Sequence, residues 1–353
     1  MLDLTMSLAN RTAVYDIGQE LCALVPNKLV RYWRVILKRP IEFNGSPFRS
    51  MLGKALSRGA FRDLSTASSL WPRRSAPTLF IDPIFSLRTP LEPNDIVLCH
   101  DIAPVSNPEY YDPGAGEAYS RAYTRIQEAK LGMVFVSEFT KNAFLARYPA
   151  PYRFTKIIPL YHKPSLSGPT TGSGRSKPFI LMVGGMEKRK NFRGAIEAFK
   201  TSRLADLGYE LLLVGPRGNL SAELLPIIES TTAVSHLGYL SDTELAALYS
   251  DATALFFPSF LEGFGVPALE APKANILPIV SRGTVLEEIV GPSGPVVDPT
   301  SIDDMARGLR EVIRMPPEEK MSRLARISQH QRIFSIERFR SSWADLLNSE
   351  KVT

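Results

Sequence analysis

From Pro178 onward, short apolar runs alternate with amphipathic stretches, and this rhythm limits the possible folds more than any other feature. "FILMVGG", "YELLLVGP", "AVSHLGYL", "ALFFPS" and "ILPIVS" read as strands. Between and after them, "RKNFRGAIEAFKTSRLA", "SAELLPIIES", "SDTELAALYSDA", "PALEAPKAN" and "SIDDMARGLREVI" read as helices. Near-continuous apolar strands are buried on both faces, and strands alternating with helices build parallel, doubly wound sheets. The first half repeats the pattern less clearly. "LDLTMSL" opens it, a helix through "YDIGQELCALV" follows, and "APTLFIDPIF", "DIVLCHDIAP" and "LGMVFVSEFTKNAFLARY" each carry an apolar burst. "YHKPSLSGPTTGSGRSKP", Tyr161 to Pro178, breaks all periodicity and reads as an exposed linker. A length of 353 residues suits two domains. The expectation is α/β, with two Rossmann-like doubly wound domains (1–165 and 175–330) facing across a cleft. Residues 331–353 are expected to form a helix packing back on the N-terminal domain.

Apolar content of 44% and charged content of 22% suit a globular chain, and no apolar run approaches a membrane span. "MLDLTMSLANRTAV" lacks the basic start and long apolar core of a secretory leader. The two cysteines, Cys22 and Cys99, are expected to be buried free thiols, so the expected location is cytoplasmic. Net charge is +6, and from Pro26 to Arg62 nine Lys/Arg face one acid, Glu42. Such a region attracts anions. Within it, "KLVRYWRVILK" has two readings. As a helix it places Lys28, Arg31, Arg34 and Lys38 on one face and Trp33 among apolar residues on the other, a surface for anionic lipid. As a strand it is core with basic neighbours. No nucleic-acid-binding motif accompanies the charge, so nucleic acid is not an expected partner.

Two segments carry chemistry. In "MVGGMEKRKNF" a strand ends at Gly184-Gly185, and Lys188-Arg189-Lys190 precedes a helix, an arrangement suited to a diphosphate. The dinucleotide fingerprint G-x-G-x-x-G is missing at the strand–helix junctions, which disfavours a nicotinamide or flavin enzyme. In "PSFLEGFGVPALE", Glu262 follows a strand, Gly263-Phe264-Gly265 offers backbone N–H groups, and Glu270 lies about one turn into the next helix. Two carboxylates so spaced can accept from two hydroxyl-rich parts of one ligand, a sugar and a ribose.

"PSFLEGFGVPALEA" resembles the E-x7-E motif of the family-4 glycosyltransferases, retaining enzymes of GT-B fold within the group 1, mannosyltransferase-like glycosyltransferases. "VGGMEKRKNFRGAIEAF" resembles the phosphate-binding segment of that family, and "LCHDIAPVSNPEYYD" its acceptor-domain His-Asp stretch. "HLGYLSDTELAALYSDATALFFPS" is similar to the region that frames the nucleotide base. The matches run from about Ile96 to Leu309. The resemblance implies that Glu262, Gly263, Phe264, Gly265 and Val266 hold the donor sugar and Glu270 the ribose. It further implies that Arg189 and Lys190 neutralise the diphosphate, that Tyr239 and Leu240 lie in the region framing the base, and that Gly184, Gly185 and Gly215 are donor-binding. The resemblance places His100 beneath the anomeric carbon, with Asp101 either orienting it or touching the sugar. The implied reaction is transfer of a hexose, preferably mannose from GDP-mannose, to a lipid-linked oligosaccharide or surface polysaccharide. It needs no metal and no cofactor. Arg31, Trp33, Arg34 and Lys38 would attach the enzyme peripherally to an anionic cytoplasmic membrane face. A nucleotide-sugar epimerase and a catalytically degenerate partner subunit are the alternatives. The chain departs from the family pattern at Thr12 and Ala13, where glycines are usual, and at Pro272–Asn275, where Asn275 can still supply a left-handed turn.

Overall fold

The computed structural model describes residues 1–8, 13–25, 29–32, 35–40, 77–162 and 172–350. They form two compact units, Met1–Pro159 with Ile336–Thr353, and Leu160–Ser335.

The first unit is built on β1 (Leu2–Asp3), β2 (Val30–Tyr32), β3 (Val35–Leu37), β4 (Leu79–Phe80), β5 (Ile96–Cys99), β6 (Gly132–Phe135) and β7 (Phe154–Ile157). Their order across the sheet is β3-β2-β1-β4-β5-β6-β7, with only the β2–β3 pair antiparallel. One face packs on an aromatic cluster: Tyr123 and Phe144 meet edge to face at 5.3 Å, and Tyr148 lies 5.3 Å from Tyr123. The helix Ile336–Ser349 belongs to this unit; it buries Phe339, Trp343, Leu346 and Leu347, and Arg340 grips Glu20 through Nε (2.6 Å) and Nη2 (3.1 Å).

The basic segment is not a helix among its described residues. Val30–Tyr32 and Val35–Leu37 are strands that pair antiparallel, and Arg31 is 3% exposed, 3.6 Å from the Asp3 carboxylate. Arg31 is therefore a core cation, not a membrane-facing one; a buried guanidinium is tolerated only beside a counter-charge. Lys38 is exposed, whereas Trp33 and Arg34 lie outside the described residues, as does Lys28. Both cysteines are free; Cys99 is buried but Cys22 only half-buried.

Among its described residues the second unit carries six parallel strands: β8 (Phe179–Val183), β9 (Glu210–Val214), β10 (Val234–Gly238), β11 (Ala254–Phe257), β12 (Leu277–Ser281) and β13 (Val296–Val297). Their order is β10-β9-β8-β11-β12-β13. Strand order reverses between β8 and β11, so the loops after these two strands diverge and leave a crevice at their carboxyl ends. The apolar runs do what their pattern requires: Ile180 to Met182, Leu211 to Leu213 and Ala254 to Phe257 are all fully buried. Helices Phe192–Ser202 and Ile302–Arg314 pack together on one face of this sheet.

Candidate active site

The switch point of the second unit gathers the residues of both motifs. After β8 the chain turns through Gly184 and Gly185 into a 3-10 turn, Lys188–Lys190, and helix Phe192–Ser202 begins. After β11 it passes Ser259 to reach Glu262. Lys190 Nζ donates to both Glu262 oxygens, at 2.6 and 2.8 Å. Arg189 Nη1 lies 3.3 Å from Oε2, and Ser259 Oγ donates to Oε1 at 2.7 Å. Glu262 is 7% and Lys190 8% exposed, so this is a buried ion pair and not a solvated basic turn. Burial by itself would raise the Glu262 carboxyl, but Lys190 and Arg189 outweigh it and hold the group below the usual carboxylate range. Burial pushes Lys190 down, with Glu262 opposing.

Two further bonds set these side chains in place. Asn191 sits at φ 58° and donates to the Pro258 carbonyl (3.1 Å) and the Pro299 carbonyl (2.9 Å), tying the start of its helix to the end of β11. The Phe260 N–H donates to the Arg189 carbonyl at 2.8 Å, so the two loops are joined through the backbone as well. At Gly215, φ is 145° and a Cβ would overlap the Gly184 carbonyl, so only glycine lets the ends of β8 and β9 approach this closely.

The loop Gly263-Phe264-Gly265 turns back at Gly265, φ 98°, and helix Val266–Glu270 follows, with proline in its first turn. Among the described residues, the N–H groups of Gly263, Phe264 and Gly265 make no hydrogen bond, so three donors stand beside Glu262. Glu270, 8% exposed, accepts from Tyr249 Oη at 3.0 Å. Burial, and then the Glu270 charge, raise the Tyr249 phenol well above its ordinary value, which keeps it a donor. Tyr239 beyond β10 is 79% exposed, and Asn275 adopts φ 60°, the left-handed turn expected of it. Tyr249→Phe should therefore weaken nucleotide binding roughly 10–100-fold, the worth of one hydrogen bond to a charged group, measured as the Kd of the nucleoside diphosphate by calorimetry; an unchanged Kd would argue against Glu270 as a nucleotide contact.

In the first unit, His100 and Asp101 follow β5. His100 Nε2 lies 2.8 Å from the Ile81 carbonyl, which can only accept, so Nε2 carries the proton. Burial lowers the His100 pKa despite that bond and Asp101. The imidazole is thus neutral, with Nδ1 left as an acceptor. Asp101 Oδ1 accepts from the Ala103 N–H at 2.9 Å, and the Asp101 carbonyl accepts from Tyr123 Oη at 2.7 Å. Sequence reasoning missed Asp82, which is 6% exposed at the end of β4 and takes Tyr119 Oη on both oxygens, at 3.1 and 3.0 Å. It also passed over Ser259, Asn191 and Tyr249. Ser259 stands in the quoted motif, but Tyr249 is 21 positions from Glu270, with no local signal to join them. Among the described residues, no group of three or more His, Cys, Asp or Glu is placed to hold a metal ion.

Residues 170–331 match the family model described as glycosyl transferases group 1. The chain is 30% identical over 267 residues to O-antigen chain mannosyltransferase B of Escherichia coli, covering 69% of this chain and 68% of that protein. Against O-antigen chain mannosyltransferase RfbU of Salmonella typhimurium the identity is 26% over 231 residues, covering 64% of this chain and 63% of the relative. The sucrose-phosphate synthase structure from Thermosynechococcus elongatus superposes with a TM-score of 0.68 at 18% identity, covering 95% of this chain and 92% of the other. The fold is GT-B, with two Rossmann-like domains. With a relative at 30% identity over two thirds of its length and a family-model match across most of the second unit, the chain belongs to the group 1 glycosyl transferases.

Proposed function

We propose that this enzyme transfers mannose from GDP-mannose, with retention and without a metal, to a lipid-linked oligosaccharide or surface polysaccharide. The observation that carries the reading is the set of groups at the switch point: the buried Lys190 and the part-buried Arg189 on Glu262, three unpaired backbone donors beside it, and Glu270 on the following helix. The names of the similar O-antigen mannosyltransferases support mannose and a surface-glycan acceptor.

On this reading the diphosphate meets Arg189 and Lys190 on the side away from Glu262, so each cation lies between two anions. Glu262 accepts from hydroxyls of the sugar, and the N–H groups of Gly263 to Gly265 donate to it. As the bond from the anomeric carbon to the phosphate oxygen lengthens, charge grows on the diphosphate. Arg189 and Lys190 are already fixed and partly dehydrated there, so stabilising that charge requires little reorganisation. The departing phosphate takes the proton of the acceptor hydroxyl on the same face, which yields retention. His100, neutral and committed through Nε2 to Ile81, offers Nδ1 to a sugar hydroxyl, with Asp101 as its neighbour. Peripheral attachment to an anionic cytoplasmic membrane face is part of the proposal. It rests on the exposed Leu29, Val35 and Ile36 beside the exposed Lys38 and Arg39. No helix among the described residues is long and apolar enough to cross a membrane.

A thermal-shift series with GDP, UDP, dTDP and ADP tests the donor. At 100 times its Kd a ligand adds about 2.7 kcal/mol, which raises Tm by roughly 5–10 °C in a unit of this size. GDP is expected to give that shift and the other three much less. A larger shift with UDP or ADP overturns the assignment of the donor.

A further inference from the structure

The Gly263–Gly265 loop is backed by residues near the end of the second unit. Helix Pro317–His330 ends in a 3-10 turn, Gln331–Ile333, just before the chain leaves the second unit at Ser335. His330 Nε2 donates to the Glu288 carbonyl at 2.7 Å. Gln331, 2% exposed, donates through Nε2 to the Ile289 carbonyl at 3.2 Å and the Ala268 carbonyl at 3.1 Å. Two consecutive side chains thus satisfy carbonyls at the end of helix Val285–Val290, whose last turn has no helical donors of its own. The same Gln331 amide reaches into Val266–Glu270, a helix of five residues too short to satisfy its own carbonyls.

Three residues further on, Phe334 meets Phe264 edge to face, with ring centroids 5.6 Å apart and planes at 86°. Both rings are buried, at 2% and 4% exposure. His330 meets Phe334 edge to face as well, at 6.0 Å with planes at 72°. Helix Val285–Val290 closes the arrangement: Leu286 packs so tightly on Gly265 that a Cβ there would overlap it. The loop carrying the three free N–H groups is therefore gripped by Phe334 at Phe264 and by Leu286 at Gly265. Leu286 rides on the helix that His330 and Gln331 cap.

We propose that Gln331 and Phe334 are positioning residues for donor binding. Phe334 sets the Gly263–Gly265 amides that meet the sugar, and Gln331 sets the helix that presents Glu270 to the ribose. This rests on the functional reading above, in which those amides and Glu270 hold the donor. A misplacement near 1 Å in a site of this kind costs up to about 100-fold, so the two variants should differ in what they lose. Phe334→Leu should lower kcat with GDP-mannose roughly 10–100-fold while the Kd of GDP stays within twofold of wild type. Gln331→Met should raise the Kd of GDP and the KM of GDP-mannose by about tenfold or more.

Ile327→Val, a buried core change on helix Pro317–His330 that leaves the Gln331 and Phe334 side chains intact, serves as the control for stability alone. It should lower Tm without moving kcat, KM or Kd when all variants are assayed well below their Tm. The inference is overturned if Phe334→Leu and Gln331→Met shift Tm as Ile327→Val does and leave kcat, KM and Kd at wild-type values. Should Gln331→Met not fold, Phe334→Leu alone decides it through the split between kcat and the Kd of GDP. A wild-type enzyme that binds neither GDP nor GDP-mannose sinks the functional reading, and this inference with it.

Discussion

Glu262→Gln is expected to lower kcat/KM by on the order of 10²–10³-fold, and Glu262→Ala by at least as much. Glutamine keeps the volume and one carbonyl oxygen for Ser259, but it removes the charge that Lys190 and Arg189 share. Alanine does more damage, because it leaves the Lys190 ammonium buried without its carboxylate. Breaking a buried pair from one side costs about 3–5 kcal/mol, enough to confuse lost catalysis with lost folding. The double variant Lys190→Met/Glu262→Leu separates the two, since it removes both charges and refills the space. Its stability should return towards wild type while its activity stays absent. Acid response gives a second check. The Glu262 carboxyl is depressed in the folded state, so its contribution to stability is present above its ordinary pKa and lost as pH falls through the folded value. Glu262→Gln should abolish that loss. Turnover near wild type in Glu262→Gln, with the correct donor and acceptor, would remove Glu262 from the chemistry.

How far the sequence revealed this site depends on chain distance. Glu262, the three donors after it and Glu270 lie within nine positions, and strand–turn–helix chemistry gives each a local reason to be there. The same holds for the strands of the second unit, whose runs are apolar throughout because both faces are covered. Edge strands were less legible: β7, Phe154–Ile157, is half exposed and shows no apolar run. The segment around Arg31 had a helical period and a strand composition together. Asp3, 28 positions away, decided it, because only a buried counter-charge admits that guanidinium to the core. Gln331 acts on Ala268 across 63 positions and Asp82 on Tyr119 across 37. Nothing in the local pattern of any of these residues announces its partner.

Asp82→Asn is expected to stabilise the protein at pH 8 by roughly 3–5 kcal/mol and to leave it almost unchanged near pH 4. Burial, with the nearby Asp101 and Asp3 charges adding to it, raises the Asp82 carboxyl from 3.8 to about 7, despite bonds from the Ile84 N–H (2.9 Å) and Tyr119. The sign follows from which state keeps the proton. A folded pKa above the unfolded one means that stability is fully present below about pH 4 and is lost as pH rises to about 7. The unfolded chain gives up its proton across that window while the folded chain retains it. Asparagine is neutral throughout and still accepts from the Ile84 N–H and the Tyr119 hydroxyl. His100 has the opposite tendency: its depressed pKa removes stability as pH falls below its ordinary value of 6.5, but it does so in both proteins and cancels in the difference. Urea midpoints of wild type and Asp82→Asn at pH 4.5, 6 and 8 should therefore diverge as pH rises. Parallel curves over that range would mean that Asp82 is already ionised in the fold. Ile81, whose carbonyl fixes the His100 tautomer, is the residue before Asp82. Below about pH 7, a protonated Asp82 lets Tyr119 pin this strand end without setting a buried negative charge beside Asp101.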